Sequence, residues 1–203
     1  IHTVAGDDVI NVAEHNQAQI ISGSATGAAA GDKVTVTIGG QTYTTVLDAA
    51  GNWSVGVPAN VISGLSDGTA TVSVSVTDAA GNTGSGTHNV TVDTGLPSVS
   101  FNAISDDNVL NAVEKGQDLS VSGTSANLAE GTQVTVTLNG KNYTATTAAD
   151  GTWSLTVPAA DLAGLGQASY TLNATATNGV GNSVSNSANL LVDTALPTVT
   201  INT

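Results

Sequence analysis

Thirteen Asp and three Glu face three Lys and no Arg in this chain of 203 residues, for a formal charge of −13. Carboxylates in such excess suit a hard divalent cation: Ca2+ takes about 6–8 oxygens from carboxylates, Asn amides and backbone carbonyls on loops. Mg2+ fits less well, because it demands a tighter octahedron and keeps its waters. Asp and Asn are also turn formers, since their short side chains bond back to the local backbone, and any one of these acids taken alone reads that way. Other donor sets are thin. There is no Cys, hence no thiolate metal site, disulfide or thiol nucleophile. His2, His15 and His88 have no partner spacing of a triad or zinc site; they read as surface residues, and His88→Ala is expected to be silent. A glycosidase pair would need a cleft and one carboxyl held protonated by apolar surroundings, whereas these acids fall in polar turns, so no enzyme is expected. The negative charge repels nucleic acid and anionic membranes, and no apolar run approaches the ~18 residues of a membrane span.

The elements that must carry these acids come in a period of 100. Trp53 repeats as Trp153, Tyr43 as Tyr143, Pro58 as Pro158 and Asp93 as Asp193. Roughly 37 positions per 100 are identical between the halves, far above chance. Ile1-His2-Thr3, Phe101-Asn102-Ala103 and Ile201-Asn202-Thr203 correspond. The chain therefore reads as two repeats, 1–95 and 96–195, with 196–203 opening a third, as a stretch of a tandem array.

Within a repeat, Val34–Ile38 alternates apolar and polar, the mark of a half-buried strand. Gly39-Gly40 turns it back into Gln41–Leu47. Trp53, Val55 and Val57 share a face, which places the tryptophans in a packed core rather than on a sugar platform. Further strands are expected at Val9–Val12, Ala18–Ser22, Thr71–Thr77 and Thr87–Val92, with 59–68 undecided. About seven strands per repeat make the fold class all-β: two immunoglobulin-like sandwiches end to end.

If every connection is an antiparallel return, the last strand finishes at the pole opposite the first strand's start, and the Asp78–Asn82 turn lies near the opening segment. On that reasoning linker Asp93, opening Asp106, Asp107 and Glu114, and turn residues Asn178 and Asn182 meet between repeats. The first repeat's set is Asp7, Asp8, Glu14, Asp78 and Asn82, weaker for want of a preceding linker Asp. Carboxylates gathered without cations repel one another, and Ca2+ would relieve this.

Val92-Asp93-Thr94-Gly95-Leu96-Pro97, Asp106-Asp107-Asn108-Val109-Leu110-Asn111-Ala112-Val113-Glu114 and Asp48-Ala49-Ala50-Gly51-Asn52-Trp53-Ser54-Val55 together resemble the bacterial immunoglobulin-like repeats of giant type I-secreted adhesins and biofilm-associated proteins. The resemblance spans essentially the whole chain. It implies a monomeric, extracellular stalk module on the bacterial surface, serving adhesion or biofilm formation and, in pathogens, virulence. It also implies Ca2+ near the junctions, neighbouring repeats of the same chain as partners, and a host or bacterial surface ligand held by other domains. The alternative is that the repeats themselves bind a host glycan, a matrix protein or a neighbouring adhesin.

Overall fold

The computed structural model describes residues 1–201, which form two compact units, Ile1–Gly95 and a second opening at Leu96. Both are immunoglobulin-like β-sandwiches. The first contains β1 (Val9–Ile10), α1 (Val12–His15), β2 (Gln19–Ser24), β3 (Lys33–Ile38), β4 (Gln41–Val46), β5 (Asn52–Val57), α2 (Ala59–Ile62), β6 (Gly68–Thr77) and β7 (Thr83–Val92). One sheet runs β1-β7-β6-β3-β4 and the other β2-β5. The second unit contains β8 (Ser98–Phe101), β9 (Val109–Leu110), a 3-10 turn (Glu114–Gly116), β10 (Leu119–Ala126), β11 (Gln133–Leu138), β12 (Lys141–Thr146), β13 (Thr152–Val157), α3 (Ala159–Leu162), β14 (Ala168–Thr177) and β15 (Ser183–Val192). Its sheets run β12-β11-β14-β15-β9 and β13-β10-β8.

Alternation builds each core. Val34, Val36 and Ile38 of β3 are buried while Thr35 and Thr37 lie nearer the surface, and β11 repeats this with Val134, Val136 and Leu138. The β3–β4 turn needs left-handed backbone at both central positions, which Gly39 and Gly40 supply at φ +56° and +72°. Asn139 and Gly140 serve the second repeat. Trp53 and Trp153 are buried, each against a glycine of the facing strand. A Cβ on Gly23 would lie 2.6 Å from Trp53 Cζ2, and one on Gly123 would meet Trp153 and the Ser100 carbonyl. Phe101 packs edge-on against Trp153, with centroids 5.4 Å apart.

Several boundaries differ from the sequence expectation. The strand expected at Val9–Val12 stops at Ile10, because Asn11 caps a helix: its side chain accepts from Ala13 N and Glu14 N while the Glu14 carboxylate accepts from Asn11 N. Residues 59–62, left undecided, form α2. Strand β7 begins at Thr83 rather than Thr87; pairing from Thr77↔Thr83 to Gly68↔Val92 overrides the poor strand propensity of Gly84 and Gly86. The opening of the second repeat divides between the sheets, β8 pairing with β10 and β9 with β15.

Candidate metal site

The opening acids are shaped by turns. Asp7 Oδ1 accepts from Val9 N (3.0 Å), and Asp107 Oδ1 repeats this with Val109 N (2.9 Å). Asp8 and Asn108 share a left-handed backbone, φ 64° and 65°, and each accepts from the amide four residues before it, Val4 and Ile104. Asp106, at φ 61°, stands where the first repeat has Gly6. Glu14 and Glu114 both accept from the backbone of the Asn three residues earlier.

The last hairpins close in the same way. Asp78 Oδ1 accepts from Ala80 N and Asn82 N, and Oδ2 from the Asn82 side chain. These bonds, that of the Asn82 amide side chain foremost, hold the Asp78 carboxyl below its usual range. Asn178 makes the same turn without charge, accepting from Val180 N and Asn182 N, and Asn182 is buried. After the last strands, Asp93 Oδ1 accepts from Gly95 N and Asp193 Oδ1 from Ala195 N, both at 3.0 Å.

The opening and hairpin groups do not meet. Strand β1 pairs in parallel with the final residues of β7, Val9↔Thr91 and Ile10↔Val92. Asp7, Asp8 and Glu14 therefore belong with the end where β7 finishes, whereas Asp78 and Asn82 lie about 25 Å away at ~3.3 Å per strand residue. In the second repeat, pairing of Val109 with Leu191 separates Asp107 from the Asn178–Asn182 turn by a similar ~25 Å. Strand parity is consistent with the parallel direction of β1 and β7. It does not convey that a two-residue strand docks at the far end of a ten-residue one. The expected single cluster is therefore two groups at opposite ends of each sandwich.

Among the described residues, no three His, Cys, Asp or Glu side chains are gathered closely enough to hold a metal ion. Asp106, Glu114 and Asp118 line an open cavity of about 310 Å3, where the first repeat has Gly6, Glu14 and Ala18. A Ca2+ shell at either group would have to draw on Asn amides and backbone carbonyls, which fits the chemistry of the ion. Strand β8 starts at the hairpin end: Ser98 pairs with Ala126, and the Asn186 side chain donates to the Val99 carbonyl at 2.9 Å. Thus Asn178 and Asn182 lie toward the end of the repeat that receives the linker, unlike Asp107.

The histidines are less passive than expected. His88 Nε2 donates to Asp8 Oδ1 at 2.7 Å, tying the opening turn to β7. That bond, then the Val4 amide, holds the Asp8 carboxyl below its usual range. A silent His88→Ala is therefore not the expectation from the structure. His15 Nε2 donates to the Leu65 carbonyl (2.9 Å), and Lys115 Nζ donates to the Leu165 carbonyl, so two unlike residues in register do one job. The second repeat adds a staple of its own, in which Lys141 Nζ and the Tyr143 hydroxyl both donate to Asp161, at 2.6 and 2.9 Å.

The profile described as bacterial Ig-like domain matches residues 6–94 and again 99–194. The chain belongs to that family. This bacterial Ig-like pair matches no curated protein. Among solved structures it is 39% identical, with a TM-score of 0.63, to one described as a Ca2+-stabilized adhesin that helps an Antarctic bacterium reach out and bind ice; the match covers 96% of this chain and 48% of that one. It is 38% identical, with a TM-score of 0.61, to a structure concerning host cell surface retention of a 1.5-MDa bacterial ice-binding adhesin, covering 96% of this chain and 63% of that one. The pair thus spans less than two thirds of the length of either of these relatives. No helix among the described residues is long and apolar enough to cross a membrane.

Proposed function

We propose that the two Ig-like repeats are non-catalytic spacer modules of a large secreted bacterial adhesin, displayed at the cell surface, with Ca2+ bound around the linker Asp93–Pro97 to limit its bending. The observation that carries this reading is 39% identity over 96% of the chain to a Ca2+-stabilized adhesin. The residue chemistry supports it. The linker opens with Asp93 in an Asx turn, and Asn178 and Asn182 belong to the end of the second repeat toward which the linker leads. A divalent ion there would add oxygen coordination to a segment otherwise restrained by Pro97, by the Asp67 carboxylate that accepts from Thr94 and by the Asn127 side chain that donates to the Leu96 carbonyl. Asp106, Asp107, Glu114 and Asp118 form a separate acidic group in the second repeat, and Asp7, Asp8 and Glu14 its counterpart in the first with one carboxylate fewer.

Small-angle scattering with Ca2+ and then with excess chelator tests the spacer reading. The expected result is a maximum dimension that is long and sharply defined with Ca2+ and shorter or broadened in chelator. Asp93→Ala should shift the Ca2+ needed for that change to higher concentration. Superposable profiles under both conditions would remove the calcium part of the proposal, and selective binding of the pair to glycans or cells would replace the spacer role with a binding role.

A further inference from the structure

Backbone pairing stops on either side of the segment that joins the repeats. In the first repeat the β6–β7 ladder ends at Gly68↔Val92, one residue short of Asp93. In the second the β8–β10 ladder ends at Ser98↔Ala126, and Pro97 has no amide to carry it further. A side chain takes over at each place. Asp67, the residue before β6, accepts through one oxygen from Thr94 N at 2.9 Å and from the Thr94 hydroxyl at 2.7 Å. Asn127, the residue after β10, donates to the Leu96 carbonyl at 3.0 Å. Each contact lies within its own unit, since the first ends at Gly95 and the second opens at Leu96. Between the two held residues the chain has a single residue, Gly95.

Neither holding residue recurs in the register of 100. Gln167 stands for Asp67 and Gly27 for Asn127, although Thr94 and Leu96 recur as Thr194 and Leu196. Position 127 is the more telling. Its backbone is left-handed, φ +55°, as is that of Gly27 at +77°. Glycine adopts that conformation without steric cost and Asn does not, so the Asn side chain needs a reason beyond the turn, and the Leu96 carbonyl supplies one. At position 67 the charge matters, because a carboxylate acceptor makes a hydrogen bond roughly twice as strong as a neutral amide such as that of Gln does.

We propose that Asp67 and Asn127 form a metal-independent clamp on the linker, and that positions 67 and 127 of the repeat decide which junctions of an array carry it. The clamp ties Thr94 to the first repeat and Leu96 to the second, which confines bending to the few torsions between them. Asp and Asn at these positions stiffen a junction before any ion binds, whereas Gln and Gly leave it to other restraints. The purpose of the clamp rests on the spacer reading; its contacts use none of the residues offered above as Ca2+ ligands.

Backbone 15N relaxation and amide exchange of the 203-residue chain in excess chelator test it, with Asp67→Gln and Asn127→Gly made singly and together. Each substitution brings in the residue that the sister repeat already carries, so both sandwiches should stay folded, and unchanged amide shifts outside the linker check this. The Thr94 amide should exchange roughly tenfold faster in Asp67→Gln, as befits loss of a bond to a charged acceptor. In the double variant the order parameters of Gly95 and Leu96 should fall, and the two repeats should tumble more independently than in the parent chain. Asp48→Asn, which alters a turn elsewhere in the first repeat, should change neither. Unaltered Thr94 exchange and linker order in the double variant, or equal loosening by Asp48→Asn, would overturn the clamp. Loosening of the double variant in chelator supports the clamp whether or not Ca2+ added afterwards restores order, so its fate is read separately from that of the calcium proposal.

Discussion

Replacing Gly123 with Ala tests whether the close approach of strand and tryptophan fixes the sandwich core. The new methyl would collide with the Ser100 carbonyl and the Trp153 ring, lying 2.7 Å from Trp153 Cε2. Overpacking a well-packed core costs about 1–3 kcal/mol. Because the Ser100 carbonyl belongs to the paired strand β8 and cannot rotate away like a side chain, the upper end applies. Loss of chain entropy in the unfolded state returns about 0.4–1 kcal/mol on Gly→Ala, leaving a net loss of about 2 kcal/mol. For a domain of this size that lowers Tm by roughly 10–15 °C. Gly23→Ala meets Trp53 Cζ2 at 2.6 Å and Cε2 at 2.9 Å, with Ile1 Cα at 3.0 Å. The nearest backbone atom there, Ile1 Cα, is farther off than the Ser100 carbonyl is at Gly123, so a loss of about 1 kcal/mol, or roughly 5 °C, is expected. Thermal melts followed by tryptophan fluorescence separate the repeats: Gly123→Ala is read in a Trp53→Phe background and Gly23→Ala in a Trp153→Phe background. An unmoved transition for Gly123→Ala, or a larger drop for Gly23→Ala, would refute the reasoning.

Acid should unfold the first repeat before the second. Asp8, Asp48, Asp67 and Asp78 are held below their usual range there, by hydrogen bonds led respectively by His88, the Asn52 backbone, Thr94 and Asn82, against Asp150 and Asp161 in the second repeat. A carboxyl lowered by folding stabilises above its unfolded pKa of about 4, and that contribution is lost as pH falls through the lower folded value. Single-tryptophan melts between pH 5 and 2 should therefore show the steeper decline for the Trp53 signal, and Asp8→Asn should flatten it. His88→Ala should lower the same transition at neutral pH, and an unchanged melt would show the Asp8 contact to be idle. At the basic end, burial and then the Asp161 carboxylate raise the Tyr143 hydroxyl to about 12. Ultraviolet titration should resolve one late-ionising tyrosine, which Asp161→Asn moves only part of the way back because burial remains. Asp78→Asn should lower the first repeat's neutral-pH melt only slightly, since Asn178 already makes that turn without the charge, whereas Asp78→Ala should lower it more.

Much of the sandwich was legible because its signals are local. Period-two alternation at Val34–Ile38, the Gly39-Gly40 turn and the recurrence of Trp53 at 153 each constrain a few neighbouring residues, and all reappear as strand, hairpin and core. The capped helix at Val12–His15 was legible in principle from Asn11 and Glu14, whose spacing is that of a capping box, but the preceding valine and isoleucine suggested a longer strand. The missed features are nonlocal. Nothing in the alternation says that the opening of a repeat changes sheets between Phe101 and Val109, nor that Asp8 meets His88 eighty positions later. The acids misled for the same reason: strand parity orders directions, whereas the distance between Asp7 and Asp78 depends on where a two-residue strand docks along a ten-residue neighbour. His15 and Lys115 looked like a loss of register, yet both reach a carbonyl fifty residues on.

The parallel pairing of β1 with β7, and of β9 with β15, bears on how a repeat meets tension. Thr91 N–Asp8 O and Asp93 N–Ile10 O close the first pair, and Leu191 N–Asn108 O and Asp193 N–Leu110 O the second. The opening strand and the last strand run the same way side by side, so pulling a repeat by its two ends drags them past each other along their axes. Those hydrogen bonds are then loaded together in shear rather than unzipped one after another. Resistance to force is governed by the unfolding rate rather than by equilibrium stability. A strand of two residues can in this way act as the mechanical clasp of a sandwich to whose core it gives a single side chain, Ile10 in one repeat and Leu110 in the other.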